Sequence, residues 1–302
     1  MPRKILVTGF TGRLGSLVAS RLRDQYSLEP RVLARPGRIE SADWQPPVGM
    51  EVVAGDYDDL ASLDAALEGV DAVFLVSPVH PEMRKRELAL AERASRTSSV
   101  PHIVKVSGLG TRLDSFVDSG RWHAEIELGI NDLGMTATYL RPLFFMQNLG
   151  FQVRAMRETG KLLGAVGDAA IAMVDARDIA EVAGAVLVGG TDIEGQAVTL
   201  TGARSVTYED VAAAASRAFG RRVAYTPQSL EEVRSTLSQS GQPDWHVDIL
   251  LQFNEAFRRG WGDAVSDTVS RVLGRMPRTV DAYLAEVAEG GSVGGRDPFP
   301  SA

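Results

Sequence analysis

Thr8-Gly9-Phe10-Thr11-Gly12-Arg13-Leu14-Gly15 is the stretch on which the reading of this chain turns. A short apolar strand, Lys4–Thr8, runs straight into it, and Leu14, Leu17, Val18 and Leu22 follow at helical spacing. The glycines fall as G-x-x-G-x-x-G between a strand and a helix. In that setting Gly9 permits a tight turn, Gly12 lets the backbone approach a pyrophosphate, and Gly15 permits close packing of helix on strand. The N–H groups at the helix start then face the anion. Phe10, Thr11, Arg13 and Leu14 lie along the same loop and are carried as candidate contacts. A glycine-rich turn without a ligand is the alternative, and the flanking strand and helix argue against it.

Further strands are expected at Arg31–Ala34, Glu51–Ala54, Ala72–Val76, Ile103–Ser107 and Thr136–Leu140. Helical stretches separate them: Asp58 or Asp59 through Leu67, stopping at Gly69, then Glu87–Ala94 and Trp122–Asn131. Such alternation implies βαβ units and a parallel sheet. The pattern then loosens. Met146–Gly160 reads as a helix, and Ile179–Val188 as another, entered through Asp175 and Asp178. Ala197–Thr201 and Val223–Tyr225 read as strands. Thr207 and Asp210 make a capping box for a helix ending at Gly220, and Leu230–Leu237 and Trp245–Gly260 are helical.

The expected fold class is α/β: a Rossmann-type doubly wound parallel sheet with a smaller mixed, mainly helical C-terminal lobe. Residues 1–150 form the dinucleotide domain, with 171–203 returning to its sheet. Residues 151–170 and 204–289 form the substrate-side lobe, and the Gly- and Pro-rich stretch 290–302 is expected to be a mobile tail.

Composition sets the bounds. A chain of 302 residues with 44% hydrophobic and 24% charged residues can bury a sizeable core without staples. A net charge of −7 argues against nucleic acid or an anionic membrane as partner. With no cysteine there is neither a disulfide framework nor a thiol nucleophile. The four histidines, His80, His102, His123 and His246, lack metal-ligand spacing, so no metal is expected. No signal-peptide pattern or membrane-spanning apolar run is evident, and the expected location is the cytoplasm. A small-molecule substrate is the expected partner, and a homodimer stays open.

Which dinucleotide fits is decided at the end of the second strand. An NAD site places an acidic residue there, about twenty residues past the turn, to accept from the ribose 2′-hydroxyl. Here the chain reads Ala34-Arg35, with Arg38 close behind and Arg13 inside the turn. Guanidinium groups suit a 2′-phosphate, so NADP(H) is the expected cofactor. Ordinary surface charge is the alternative for any one of these arginines. Asp56 either accepts from the adenine amino group or caps the following helix. Ser77-Pro78 and Ser107 end the fourth and fifth strands, where ligands of open α/β sheets lie; turn roles are the alternative. Pro142 and Phe144 follow the sixth strand, as a floor for the nicotinamide end or as core packing. Trp245, Ile249 and Phe253 recur at four-residue spacing, a packing stripe first and a pocket wall second.

Ile5 to Gly15, Val53-Ala54-Gly55-Asp56-Tyr57, Leu133 to Asn148 and Met173 to Ala180 together resemble the NmrA-like branch of the atypical short-chain dehydrogenase/reductases, over almost the whole length. The resemblance implies a Rossmann domain with a small C-terminal lobe, binding NADP(H), with Tyr57 among the cofactor contacts. It leaves three activities: an NADPH-dependent reductase of a conjugated carbonyl or quinone-like substrate, a non-catalytic dinucleotide sensor, or an isomerisation or ring rearrangement. The usual Tyr-x-x-x-Lys dyad is absent. The corresponding helix carries His123 and Glu127, where quinone-reductase-like members carry a His-x-x-x-Glu pair. At i and i+4 the two side chains can meet, and a carboxylate beside an imidazole raises its pKa for proton transfer. A solvated histidine with a structural glutamate is the alternative.

Overall fold

The computed structural model describes residues 3–290. Its strands are β1 (Ile5–Val7), β2 (Arg31–Ala34), β3 (Glu51–Ala54), β4 (Ala72–Leu75), β5 (His102–Val106), β6 (Ala137–Pro142), β7 (Lys161–Gly164), β8 (Ala197–Leu200) and β9 (Ala224–Pro227). Seven of them form one parallel sheet in the order β3-β2-β1-β4-β5-β6-β8, while β7 and β9 pair separately, also in parallel. The chain winds outward from β1 to β3, then returns to start β4 on the other side of β1. This creates the switch point at which open α/β sheets bind ligands.

The helices are α1 (Arg13–Tyr26), α2 (Pro36–Ile39), α3 (Leu60–Leu67), α4 (Met83–Ala94), α5 (Asp118–Asp132), α6 (Val153–Thr159), α7 (Ala176–Val188), α8 (Tyr208–Phe219), α9 (Leu230–Gln239), α10 (Asp244–Arg258), α11 (Thr268–Leu273) and α12 (Val280–Ala288), with a 3₁₀ segment at Met146–Gln152. Alternate strand residues serve opposite faces of the sheet. Ile5, Val7, Phe74 and Val104 pack with Leu14, Val18 and Leu22 of α1 and with Ile179, Val182 and Val186 of α7. Leu6, Val73, Leu75 and Ile103 pack on the other face with Leu63, Leu67, Leu90, Ile126 and Ile130 from α3, α4 and α5. Covering both faces is what makes the strands apolar throughout. A third cluster, including Met146, Leu149, Val211, Phe257 and Leu284, forms the core of the smaller lobe. Among the described residues no helix is long and apolar enough to cross a membrane.

Local capping explains where several helices begin. Asp59 accepts from the Ala61 and Ser62 N–H groups at the start of α3. Thr207 with Asp210, and Ser229 with Glu232, form reciprocal capping boxes for α8 and α9.

Several expectations are corrected. Met146–Gly160 is not one helix: a 3₁₀ segment gives way to α6, which ends at Gly160 with φ +68°. The Met146 N–H is already committed to the Val174 carbonyl, and the Gln152 side chain to the backbone of Leu163. Strand β7 was not expected, because its partner β9 lies far along the chain. Within residues 204–289, α11 packs back on α7 and β8. Asp178 explains this return. It sits inside α7, fully buried, and its carboxylate is met by Arg275 and Arg278 from the segment after α11. The expected tail, 290–302, lies outside the described residues except for Gly290.

Candidate functional site

The phosphate turn is built at the switch point. The Thr8 hydroxyl accepts from the Val76 N–H at 2.9 Å and lies 3.0 Å from the Phe74 carbonyl, tying the end of β1 to the end of β4. Gly9 has φ +60°, and a Cβ there would stand 2.7 Å from Val76 Cγ1. A Cβ on Gly15 would come within 2.7 Å of the Phe10 nitrogen, so α1 sits directly on the turn. Gly12 begins α1 without a side-chain cap, and the first turn carries no acidic residue. The helix therefore presents its positive end to whatever fills the turn, an arrangement that fits a pyrophosphate.

At the end of β2 the arginines separate. Arg35 is exposed and its side chain, among the described residues, makes no hydrogen bond or ion pair, while its carbonyl accepts from the Arg38 N–H at 2.9 Å. Arg38 is instead committed to Ser41 and to Asp43 at 2.7 Å, with its guanidinium 5.3 Å from the Trp44 ring centroid. Asp43 thus neutralises Arg38 locally. Asp59 rather than Asp56 caps α3; among the described residues the Asp56 carboxylate accepts from the Asp58 N–H at 3.0 Å. The Tyr57 hydroxyl donates to the Val76 carbonyl at 3.2 Å, and burial pushes its pKa up, so it stays a neutral phenol.

Beneath the carboxyl ends of β4 to β6 lies a buried polar network. The Ser77 hydroxyl donates to Glu87 of α4 at 2.7 Å, and the other Glu87 oxygen pairs with Lys105 of β5 at 2.7 Å. The Lys105 ammonium also reaches the Val106 carbonyl at 3.0 Å and His123 Nδ1 at 3.1 Å. Ser107 donates to Glu127 at 2.6 Å, and Arg141 of β6 grips the same carboxylate with two nitrogens.

The expected His123–Glu127 pair therefore does not form. Arg141 and Ser107 claim Glu127, and a lysine rather than a carboxylate stands beside the imidazole. Burial first, and then the Lys105 and Arg141 charges, hold the His123 pKa well below the ordinary histidine value. The expectation of a raised pKa is overturned. Lys105 and Glu87 were missed in the sequence, although both carry a signal. Lys105 interrupts the apolar run Ile103-Val104-Lys105-Val106, and Glu87 falls on the buried stripe of α4 with Met83, Leu90, Ala91 and Ala94. Charged residues in such positions require partners.

Pro142 is buried at the end of β6, beside β8. Phe144 meets Phe257 edge to face at 5.8 Å and packs on the lobe core. Ile249 is buried and Phe253 packs on that core, but Trp245 leaves the stripe and meets His80, on the segment after β4, at 5.2 Å. The lobe thus touches the sheet domain across the candidate cleft. Pro78, next to that contact, is exposed.

A model described as the NmrA-like family matches residues 1–284. The chain belongs to the NmrA-like family. An NAD(P)H azoreductase of Xenophilus azovorans is 36% identical over 275 residues, covering 91% of this chain and 94% of that protein. A (4-alkanoyl-5-oxo-2,5-dihydrofuran-3-yl)methyl phosphate reductase of Streptomyces griseus is 36% identical over 289 residues, covering 94% and 98%. Among solved structures, the NADPH-dependent quinone oxidoreductase of Escherichia coli, in complex with NADPH, superposes with a TM-score of 0.81 at 27% identity, covering 95% of this chain and 99% of that one. This NmrA-like chain is an NAD(P)H-dependent oxidoreductase, the class these relatives share. The expected fold stands with it.

Proposed function

We propose that this NmrA-like protein uses NADPH to reduce a small, conjugated, quinone-like acceptor. One observation carries the choice of acceptor: among the described residues, the polar side chains that meet beneath the ends of β4 to β6 are paired or held neutral. Ser77 is held by Glu87, Ser107 and Arg141 by Glu127, and His123 by Lys105. No group there stands ready as a strong acid. An acceptor whose reduced form is a delocalised anion needs none, because water can protonate it. A simple ketone would need an acid of the Tyr–Lys kind.

The dinucleotide, when bound, supplies the hydride. The chain supplies binding and orientation. Gly9, Gly12 and Gly15 leave room for the pyrophosphate at the start of α1, with Phe10, Thr11, Arg13 and Leu14 along the loop. Arg35, exposed and unengaged at the end of β2, is the guanidinium for the 2′-phosphate, and no carboxylate stands there to select NAD(H). Asp56 and Tyr57 border the adenosine end, while Ser77, Pro78, Ser107, Pro142 and Phe144 border the nicotinamide end. A homodimer and a cytoplasmic location complete the reading. Elution at twice the chain mass of 32.5 kDa supports the dimer, and elution at that mass refutes it.

Following the loss of NADPH absorbance with a panel of quinones and azo dyes tests the proposal. Turnover is expected with a quinone and faster with NADPH than with NADH. NADPH that survives every acceptor refutes it.

A further inference from the structure

We propose that Lys105 is a positioning residue that fixes His123 as the neutral tautomer with its proton on Nε2, so that His123 donates a hydrogen bond to the anion formed on the reduced acceptor. The inference rests on the reductase reading above. Its structural part stands on three contacts.

The first is the pair of Lys105 with Glu87 at 2.7 Å, both fully buried. The two side chains form an ion pair, with Lys105 as its cation. The second is the 3.1 Å approach of Lys105 Nζ to His123 Nδ1. An ammonium has three donors and no acceptor; its hydrogen bonds here run to the Val106 carbonyl and to His123, with Glu87 at ion-pair distance. Nδ1 must therefore accept, which leaves the ring proton on Nε2. The third contact fixes where Nε2 faces. It lies against Gly108, just past β5, where a Cβ would sit 3.6 Å from both Nε2 and Cδ2. Among the described residues nothing hydrogen-bonds Nε2, and the residue as a whole keeps 8% exposure. An oriented N–H with no partner thus stands at the carboxyl end of β5, where this sheet type places the reacting end of a dinucleotide.

The surrounding charges agree with a neutral ring. Lys105 on β5 and Arg141 on β6 are cations near it. Glu127, one turn further along α5, is occupied by Arg141, and Glu87 on α4 by Lys105. A neutral imidazole cannot release a proton easily, but it can donate a hydrogen bond as negative charge develops. In the balanced reaction the acceptor gains a hydride, its electron pair comes to rest on an oxygen, His123 Nε2–H stabilises that oxygen, and water provides the proton.

Nitrogen NMR of protein labelled at its histidine ring nitrogens tests the assignment, with His123→Gln used to identify the signal. In wild-type protein, with and without NADP⁺, Nε2 should carry the proton and Nδ1 should not, with no titration near the ordinary histidine pKa. In Lys105→Met/Glu87→Gln, which removes the ion pair without stranding a charge, a tautomer mixture and a pKa closer to ordinary should appear. Turnover of a quinone should fall about tenfold in kcat with KM for NADPH unchanged, the value of one lost hydrogen bond. A wild-type ring protonated on Nδ1, or one that titrates normally, overturns the assignment whatever the turnover and whether or not the variant folds. An Nε2–H ring in wild-type protein that oxidises no NADPH with any acceptor removes the reductase reading and the catalytic half of this proposal together.

Discussion

Lys105 of β5 and Glu87 of α4 pair at 2.7 Å with neither side chain exposed. A buried ion pair is costly to break from one side, because the remaining charge is left unpaired. Lys105→Met should therefore destabilise the protein by about 3–5 kcal/mol. The double variant Lys105→Met/Glu87→Gln should recover much of that loss. Urea midpoints for the single and double variants check this; a double variant no more stable than Lys105→Met would contradict it.

The close seat of α1 on the phosphate turn predicts a sharp contrast between two glycines. Gly15→Ala drives a methyl group into the backbone of Gly9 and Phe10, and should cost about 1–3 kcal/mol along with most dinucleotide affinity. Gly37→Ala, with nothing within 4 Å, should change neither. Melting temperature and NADPH titration of the two variants provide the comparison, and similar behaviour would remove the turn from the account.

Arg35 is the residue proposed to select the cofactor. Removing a guanidinium hydrogen-bonded to a 2′-phosphate should weaken NADPH binding by roughly tenfold to a hundredfold. NADH, which lacks that phosphate, should bind Arg35→Ala as it binds the wild type. An equal loss for both dinucleotides would place Arg35 elsewhere.

Acid should destabilise the fold through two buried histidines. Burial lowers the His102 pKa, and His123 is lowered further by Lys105 and Arg141. The unfolded chain therefore binds these protons at a higher pH than the native protein does. Stability is complete above about pH 6.5 and declines as pH falls below it. His102→Asn should flatten part of that decline. Urea midpoints at pH 7.5, 6 and 5 read the slope, and a protein that grows more stable on acidification would contradict it.

Much of the sheet domain is legible in the sequence because its signals are local. The apolar strands β1 to β6 and the turn at Gly9 to Gly15, like the Thr207–Asp210 capping box of the lobe, each depend on residues near one another in the chain. What escapes notice depends on tertiary placement. Strand β7 becomes visible only through β9, and α11 takes its position from Thr201, which bonds Ser266, and from buried Asp178. The polar network shows the same limit. Helical spacing alone pairs His123 with Glu127, but Arg141 and Lys105 arrive from neighbouring strands and divide them. A lysine inside an apolar strand signals that a partner must exist without showing which one.

Titration calorimetry of the purified protein with NADPH and then NADH bears most directly on the central claim, that the Gly9–Gly15 turn and Arg35 together hold a 2′-phosphorylated dinucleotide. The expected result is one NADPH bound per chain, with NADH weaker by at least about tenfold. Absence of heat with NADPH, or NADH binding as tightly, would contradict it.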